Sequence, residues 1–286
     1  MSPELTTLPT LLIAYSVAMT FAVGACIGSF LNVCISRWPA ELSVVTPRSR
    51  CPRCERAIAW HENIPVLSWL MLRGKCRGCA LPISLQYPLV ELAVALGWVA
   101  SLAVFGLSLE ALRMAVFGTL LFGIAMTDAQ SYLIPDGFTV FGLLFVLAMS
   151  VVGAFQFNVQ SHFASPWPAF LGACAGAGAI TIIGWLGEVA LKKEAMGFGD
   201  TTLMAVVGAA LGPERALLTI LAGAFLGAVF FLVFVAPVVW VRSKRAGIEF
   251  EFPDVPFGVF LAPAALLTLL WGDPVIAWYI QRTFPT

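Results

Sequence analysis

Two aspartates stand at the edges of apolar segments, where a charged side chain is costly and is therefore a candidate for function. Asp128 ends an apolar run that begins near Met114, and Asp200 follows the short stretch Gly197 to Gly199. Two carboxyl groups held close together cannot both ionise easily, so they share a proton. Such a pair can activate water, because one group takes its proton while the other protonates the carbonyl oxygen of a scissile peptide.

Each of these acids also has a simpler interpretation as a helix cap. Asp200 follows a glycine at a predicted helix start, where an N-cap aspartate stabilises a helix by about 1 kcal/mol. Asp136, which follows Pro135, would cap the next helix in the same way. The glycines at 197 and 199 would let the backbone approach a neighbouring helix or an extended peptide. The sequence leaves the cap and the catalytic interpretations of Asp200 open.

Four of the seven cysteines lie in one long polar loop as two CxxC pairs, namely Cys51, Cys54, Cys76 and Cys79. Two residues between ligands let one tight turn aim both thiolates at a tetrahedral ion, and four thiolates close its coordination sphere, as in structural zinc sites. A reducing cytoplasm favours a metal over disulfides. Two disulfides or redox pairs are the alternative, and His61, between the pairs, is a further candidate ligand.

The composition places these residues in a membrane protein. The 286 residues are 60% hydrophobic and 11% charged, whereas a soluble domain carries about 25% charged residues. The net charge of zero indicates no nucleic-acid partner. We predict an all-α polytopic membrane protein with about eight transmembrane helices and a small cytoplasmic zinc-binding loop module. The predicted spans lie near residues 11–35, 87–107, 109–127, 138–156, 168–190, 201–212, 215–241 and 257–279.

Lys and Arg residues set the predicted orientation. The loop after the first span carries eight of the sixteen basic residues, and a cytoplasmic loop there places thirteen of the sixteen inside by alternation. Both termini are then non-cytoplasmic. Asp128 falls at the inner end of the third span and Asp200 at the inner start of the sixth. Carboxylates at this face favour a protease, whereas carboxylates at the bilayer midplane would favour a transporter.

An ordered set of short motifs resembles the type IV prepilin leader peptidases, the membrane enzymes of type IV pilus and type II secretion systems. The matching segments are Gly28-Ser-Phe-Leu-Asn32-Val, the double CxxC loop, Asn63-Ile-Pro-Val-Leu-Ser-Trp69, Arg73-Gly-Lys-Cys76, Pro82-Ile-Ser-Leu-Gln-Tyr87-Pro-Leu-Val-Glu91, Asp128 to Asp136, Glu194-Ala-Met-Gly197-Phe-Gly199-Asp200, and Pro256-Phe-Gly258. They run from about residue 28 to residue 260, nearly the whole chain.

The resemblance implies an enzyme that cuts a short basic leader from prepilins or pseudopilins at the cytoplasmic face of the bacterial inner membrane. Many members also methylate the new N-terminus with S-adenosylmethionine, an activity associated with the cysteine-containing region. The implied partners are these substrates and the lipid bilayer, with no nucleic acid. By motif match, Asp128 and Asp200 are the catalytic pair, supported by Asp136, Gly197, Gly199, Glu194 and Glu91.

The resemblance also implies three regions, with two departures from the family pattern. Residues 1–36 are the first transmembrane helix, 37–86 the double-CxxC zinc module, and 87–286 a seven-helix aspartic peptidase membrane domain. Thr202 stands where the family commonly has Lys, and Ala195 where Gly is frequent. Glu91 has a simpler interpretation as a helix N-terminal acid favoured by the dipole. A peptidase without methyltransferase activity is the first alternative, and a carboxylate-dependent transporter the second.

Overall fold

The protein was analysed as a computed structural model, which describes residues 4–155, 161–192, 196–246 and 255–283. Glu194 and Ala195, singled out above, lie outside these ranges. The described residues form ten α-helices and no strand, with isolated backbone bridges at Arg50–Ala57 and Lys75–Pro82. The predicted all-α class is therefore confirmed, while the division of the chain at residues 36 and 86 stays a prediction.

The chain folds as two compact units, Met1–Thr119 and Leu120–Thr286, here called the first and second unit. The first unit contains α1 (Glu4–Arg37), α2 (Leu67–Met71), α3 (Gln86–Phe105) and the first half of α4 (Leu109–Ser131). The second unit contains the rest of α4 and the helices α5 (Asp136–Ala154), α6 (Pro166–Leu191), α7 (Phe198–Leu211), α8 (Pro213–Phe230), α9 (Ala236–Ala246) and α10 (Gly258–Thr283). A π-helical turn, Phe231–Val235, joins α8 to α9.

Seven helices in the described ranges are long and apolar enough to cross a membrane, so the chain is a multi-pass membrane protein. The segment predicted as the sixth of eight spans is α7, an apolar helix of 14 residues. At 1.5 Å per residue it is roughly 21 Å long, which is shorter than a hydrocarbon core of about 30 Å. Its end is set by Gly212, whose φ is +87°, and by Pro213, which begins the next helix.

Helix α7 can be shorter than the hydrocarbon core because other helices of the second unit enclose it. Every residue from Val206 to Leu211 is buried, and the helix packs against α5, α6, α8 and α10. The closest crossing is with α6, where a β-carbon at Gly172 would lie 2.0 Å from the carbonyl oxygen of Gly208. A β-carbon at Gly176, one turn further along α6, would lie 2.2 Å from the carbonyl oxygen of Met204. Small residues four positions apart permit this backbone contact, as in other membrane helix pairs.

The first unit uses the same device where α1 crosses α3. A β-carbon at Gly24 would lie 2.8 Å from the α-carbon of Ala95, and one at Gly28 would lie 2.7 Å from the α-carbon of Glu91. The two glycines are four positions apart and therefore share one face of α1. The glycine that begins the Gly28 motif therefore permits a close crossing of α1 and α3.

Candidate active site and metal centre

Asp128 lies near the end of α4, and its side chain is held by the start of α10. The residue is only 5% exposed. The backbone N–H of Val259 donates a hydrogen bond of 3.1 Å to Oδ2 of Asp128. A β-carbon at Gly258 would lie 2.9 Å from the same oxygen. The carboxyl group therefore occupies the first turn of α10, where helix N–H groups have no partner within the helix.

Asp200 is the third residue of α7, and the N-cap residue is Gly197. The N-cap interpretation of Asp200 is therefore wrong. The carboxyl group instead reaches back to the backbone N–H of Gly197, as the third helical residue does in a capping box.

The structure brings the Asp128 and Asp200 carboxyl groups close enough for the charge of one to act on the other. Ile134, in the connection between α4 and α5, packs against the start of α7, which carries Asp200, and against the start of α10, which supports Asp128. A β-carbon at Gly199 would lie 2.8 Å from Cβ of Ile134, and one at Gly258 would lie 3.1 Å from its Cδ1. The two glycines thus allow α7 and α10 to converge on one isoleucine. A carboxyl pair whose charges interact provides the acid and the base that activation of water requires.

Asp136 and Thr202, which the sequence also singled out, both lie near helix starts. Asp136 is the first residue of α5, where the helix dipole favours its charge. Thr202 donates its hydroxyl proton to the carbonyl oxygen of Gly199 at 3.0 Å, so a neutral group stands where the family commonly has Lys. Glu194 lies outside the described residues.

The four loop cysteines form two matching turns. In the first, the N–H of Glu55 donates to the carbonyl of Cys51 at 2.9 Å, and Glu55 has a φ of +56°. In the second, the N–H of Ala80 donates to the carbonyl of Cys76 at 2.8 Å, and Ala80 has a φ of +57°. One backbone bridge closes each turn. The two CxxC pairs thus adopt the same hairpin-like knuckle, although they share little beyond the cysteines.

The four Sγ atoms face one another and could hold a metal ion, since all lie within 4.8 Å of each other. The Cys51–Cys79 distance is 3.9 Å and the Cys54–Cys76 distance is 4.0 Å. A tetrahedral zinc ion with Zn–S bonds of about 2.3 Å needs sulfur separations of roughly 3.8 Å. All seven cysteines are free thiols, so the disulfide alternative is not adopted. His61 is outside the group.

The chemistry of the thiols also suits a cation. The backbone N–H groups of Cys79 and Gly78 lower the pKa of Cys76 to about 6, because they stabilise the thiolate. The N–H of Leu81 lowers the pKa of Cys79, but burial and the three neighbouring thiols outweigh it and raise that pKa to about 11. Four crowded thiols cannot all ionise without a cation among them, and a divalent metal supplies that charge.

Glu62 ties the two knuckles together. It accepts from Arg56, which follows the first knuckle, and from Arg77 at 3.3 Å, which lies within the second. Burial raises the pKa of Glu62. The N–H of Ala59 and the two guanidinium groups together lower it by more, so the net shift of this pKa is downward. Glu62 is therefore engaged inside the loop module, where it stabilises the relative position of the knuckles.

Glu91 holds a second part of the same module. Its Oε2 accepts the N–H of Val66 at 2.7 Å, and the Ser29 hydroxyl also hydrogen-bonds its carboxyl group. Val66 has a φ of +62° and a ψ of −51°, and the N–H of Leu67 donates to the carbonyl of Pro65 at 2.6 Å. This is a γ-turn with a positive φ at its central residue, the rarer and more strained of the two γ-turn forms. It is unusual for a β-branched residue and costs on the order of 1–3 kcal/mol.

These features define a class of protein: a multi-pass helical membrane protein with a buried and a half-buried aspartate paired in one unit and a four-thiol cluster in the other. The chain belongs to the type IV leader peptidase family. The model of that family matches residues 114–232, and the model of the bacterial peptidase A24 N-terminal domain matches residues 22–105.

Three relatives show how far the similarity extends. A prepilin leader peptidase/N-methyltransferase of Myxococcus xanthus is 39% identical over 88% of this chain and 70% of its own length. Proteins of the same name from Aeromonas hydrophila and Bacillus subtilis are 35% and 34% identical, over 93% and 92% of this chain and 94% and 98% of theirs. No solved structure matches the chain. The names of these relatives favour neither a transporter nor a peptidase that lacks methyltransferase activity.

Sequence reasoning missed several residues that shape these sites. Ile134 and Val66 carry no chemical signal, because the first acts through packing and the second through its backbone, and the hydroxyl of Ser29 hydrogen-bonds Glu91, far away in the sequence. Asn32 lay in a recognised motif without a role, and its amide donates to the carbonyl of Tyr87 at 3.0 Å. The one signal in the sequence was their position, since all four residues lie within the segments that resemble the family motifs.

Proposed function

We propose that this protein is a prepilin peptidase that cuts the short basic leader from type IV prepilins or type II secretion pseudopilins, and that it then methylates the new N-terminus. The observation that carries the peptidase activity is the interacting pair Asp128 and Asp200, each held by backbone N–H groups in the second unit. The names of the relatives support both activities.

In the proposed cleavage reaction, Asp128 and Asp200 share one proton. The ionised carboxylate takes a proton from a water molecule, whose oxygen attacks the scissile carbonyl carbon, while the protonated carboxyl donates its proton to the carbonyl oxygen. The resulting gem-diol then collapses: the carboxylate takes a proton from one diol hydroxyl, the peptide C–N bond breaks, and the carboxyl group that received the proton of the water gives it to the leaving nitrogen, which restores the starting pair. Asp136, Gly197, Gly199 and Glu194 are proposed as supporting residues.

The four loop cysteines are proposed to hold a structural Zn²⁺ ion. Their thiolates would fill all four positions of a tetrahedral ion, which leaves no open position for substrate. The ion would then fix the two knuckles and, through Glu62, the segment between them. The metal therefore supports the fold of the module and takes no part in peptide cleavage.

The first unit is proposed to carry the methyltransferase activity, with S-adenosylmethionine as the donor of the methyl group. Glu91 is proposed to support this activity by positioning, because it fixes the turn at Val66. The acceptor is the amine that leader cleavage creates, so the peptidase reaction produces the substrate of the second reaction.

The protein is proposed to lie in the bacterial cytoplasmic membrane, with the loop module and the aspartate pair at the cytoplasmic face and both termini on the other side. Thirteen of the sixteen basic residues are cytoplasmic in this orientation, as the positive-inside rule requires. A basic leader would then meet the enzyme from the side on which prepilins are made.

The peptidase proposal is tested with the isosteric variants Asp128→Asn and Asp200→Asn. Purified protein is mixed with a prepilin, and leader release is followed by mass spectrometry. Each variant is expected to lose nearly all cleavage, since neither can complete the shared-proton pair. Asp273→Asn is the matched control, because Asp273 is exposed and its ion pair within the described residues is with Arg215 at 3.6 Å. Cleavage at the wild-type rate by either dyad variant would refute the proposed mechanism.

A further inference from the structure

One side of α1 lines a cavity of about 360 Å³ in the first unit. Four of the five α1 residues in its wall recur at intervals of three and four and therefore share one side of the helix, namely Cys26, Phe30, Val33 and Arg37. At about 100° per residue, this side lies opposite Gly24 and Gly28, which contact α3. The cavity includes neither the cysteine cluster nor the aspartate pair, so nothing described above accounts for it.

The loop segments in the wall of this cavity are fixed by hydrogen bonds. The Arg37 guanidinium donates to the carbonyl oxygens of Ser43 at 2.8 Å and Pro47 at 2.9 Å, which holds the loop after α1 against the helix. Pro65, which also lines the cavity, directly precedes the strained turn that Glu91 fixes. The cavity is therefore formed before a ligand arrives, and binding a ligand costs little loop ordering.

The polar part of the wall favours a ligand with an anionic group. Arg37 and Arg48 both line the cavity, and no acidic side chain is among the described residues of its wall. Arg37 donates to backbone carbonyl groups but keeps its positive charge, and Arg48, which is exposed, directly follows the proline that Arg37 holds. Ser49 and Asn63 add a hydroxyl and an amide that can donate hydrogen bonds. Guanidinium groups with such donors beside them suit a phosphate group.

The α1 part of the wall continues into an exposed apolar track along the helix. Phe30 and Cys26 line the cavity and are exposed, and Val23 and Met19 extend the same side of α1 toward its N-terminus. From Met19 to Phe30 the apolar track is about 16 Å long at 1.5 Å per residue, close to the thickness of one leaflet in a hydrocarbon core of about 30 Å. Arg37 lies about 10 Å beyond Phe30 along this candidate span, at the height of the lipid headgroups when the apolar track lies in the core.

We infer that this cavity binds an anionic phospholipid, with its phosphate group near Arg37, Arg48 and Asn63 and one acyl chain along the apolar track. A zwitterionic lipid carries the same phosphate but adds a cationic group, which two arginines without an acid in the wall disfavour. A soluble phosphate compound would meet the arginines but leave the apolar track uncovered. Basic pockets beside transmembrane helices suit anionic headgroups for these reasons. The inference depends on neither of the two proposed activities.

Two neighbouring arginines provide the first test. Native mass spectrometry of the delipidated full-length protein resolves the first lipid that binds, and wild type should bind phosphatidylglycerol about tenfold more tightly than phosphatidylcholine. Arg48→Ala should remove most of this preference, because the charge that distinguishes the two headgroups is lost. Arg50→Ala is the matched control, since it removes the same charge from an exposed residue outside the cavity wall, and it should keep the preference.

The sign of the charge at Val45 provides the second test. Val45 lines the cavity and is 80% exposed, so substitutions there do not disturb the core. Val45→Glu should weaken phosphatidylglycerol binding by about tenfold through repulsion, and Val45→Lys should preserve or strengthen it. A position that matters only for structure would respond alike to both changes. All four variants should unfold at the wild-type temperature in detergent without added lipid, which shows that they are folded.

Several results would overturn the inference. If Arg48→Ala and Arg50→Ala lose the preference equally, the loop attracts anionic lipid through its overall charge and the cavity is not a site; equal binding by the two Val45 variants has the same meaning. If wild type binds both lipids equally, the cavity does not select an anionic headgroup. If glycerol 3-phosphate, which has no acyl chain, displaces phosphatidylglycerol at a similar concentration, the ligand is a soluble phosphate compound and the lipid inference is wrong.

Discussion

The backbone N–H of Val259 donates a 3.1 Å hydrogen bond to the Asp128 carboxylate, although the two residues are 131 positions apart in the chain. The contact places a side chain from the end of α4 on the first turn of α10. The neighbouring Gly258 has no β-carbon, and that absence leaves room for the carboxylate. The Pro256-Phe-Gly258 motif thus has a physical explanation, in which its glycine and the next N–H position one member of the aspartate pair.

Gly258→Ala is expected to reduce leader cleavage by on the order of 100-fold, because the new methyl group would lie 2.9 Å from Oδ2 of Asp128 and would displace it. The fold should survive, since the atom that must move is the end of a side chain. Leader release by mass spectrometry and thermal unfolding in detergent measure the two effects. Gly178→Ala on α6 is the control, as no atom lies within 4 Å of its β-carbon position. Equal cleavage by the two variants would contradict the positioning role.

Gly208→Ala is expected to destabilise the second unit by about 3 kcal/mol or more, since its β-carbon would lie 1.9 Å from the carbonyl oxygen of Gly172. The atom in the way belongs to the backbone, so α6 and α7 must separate. Because α7 carries Asp200, cleavage should fall together with thermal stability, in contrast to Gly258→Ala. A variant with wild-type unfolding temperature would show that the two helices have room to move apart without cost.

Removal of the metal is expected to affect methylation more than cleavage. Prolonged chelation removes the ion, and Cys76→Ser removes one of its ligands. Either change loosens the loop module of the first unit, whereas both aspartates belong to the second unit. Methylation is measured as a 14 Da mass gain on a pre-cleaved prepilin, and cleavage on an intact one. Metal analysis of untreated protein should find about one zinc per chain. Absence of zinc in protein purified without chelator would end the zinc proposal.

Glu91→Ala and Glu91→Gln are expected to differ, because only the alanine variant leaves the N–H of Val66 without an acceptor. That loss should cost about 1–3 kcal/mol of local stability and abolish methylation of a pre-cleaved prepilin, with leader cleavage retained. Glutamine keeps an amide oxygen for the turn and should retain most methylation. Suppose that Glu91→Gln methylates as poorly as the alanine variant but is as stable as wild type. The carboxyl group would then act chemically, and positioning would not be its role.

A reporter fused after residue 80 is expected to be cytoplasmic, because the loop that contains this point carries eight of the sixteen basic residues. A fusion after residue 108, between α3 and α4, should report the opposite side. Fluorescent-protein and alkaline-phosphatase fusions distinguish the two compartments. A cytoplasmic result at residue 108 with a periplasmic one at residue 80 would reverse the proposed orientation.

Much of the site followed from residue type and spacing. The two CxxC pairs predicted a four-thiol cluster, and the four cysteines do meet, because two short turns can each aim a pair of thiols at one point. The glycines around Phe198 predicted a close approach, and Gly199 does pack against Ile134. Asp200 shows the limit of local reasoning, because the helix starts three residues earlier than the cap interpretation required. A cap depends on backbone angles that one residue type does not determine.

The sequence by itself determined the membrane class, the family and the residues capable of chemistry, because hydrophobicity and motif spacing are local properties. Tertiary structure alone decided that α7 is enclosed by other helices, that the first turn of α10 supports Asp128, and that Ile134 separates the two glycine motifs. It also decided that Glu91 fixes the strained turn at Val66. These contacts join segments far apart in the chain, and they depend on packing and on backbone N–H groups, which every residue except proline carries alike.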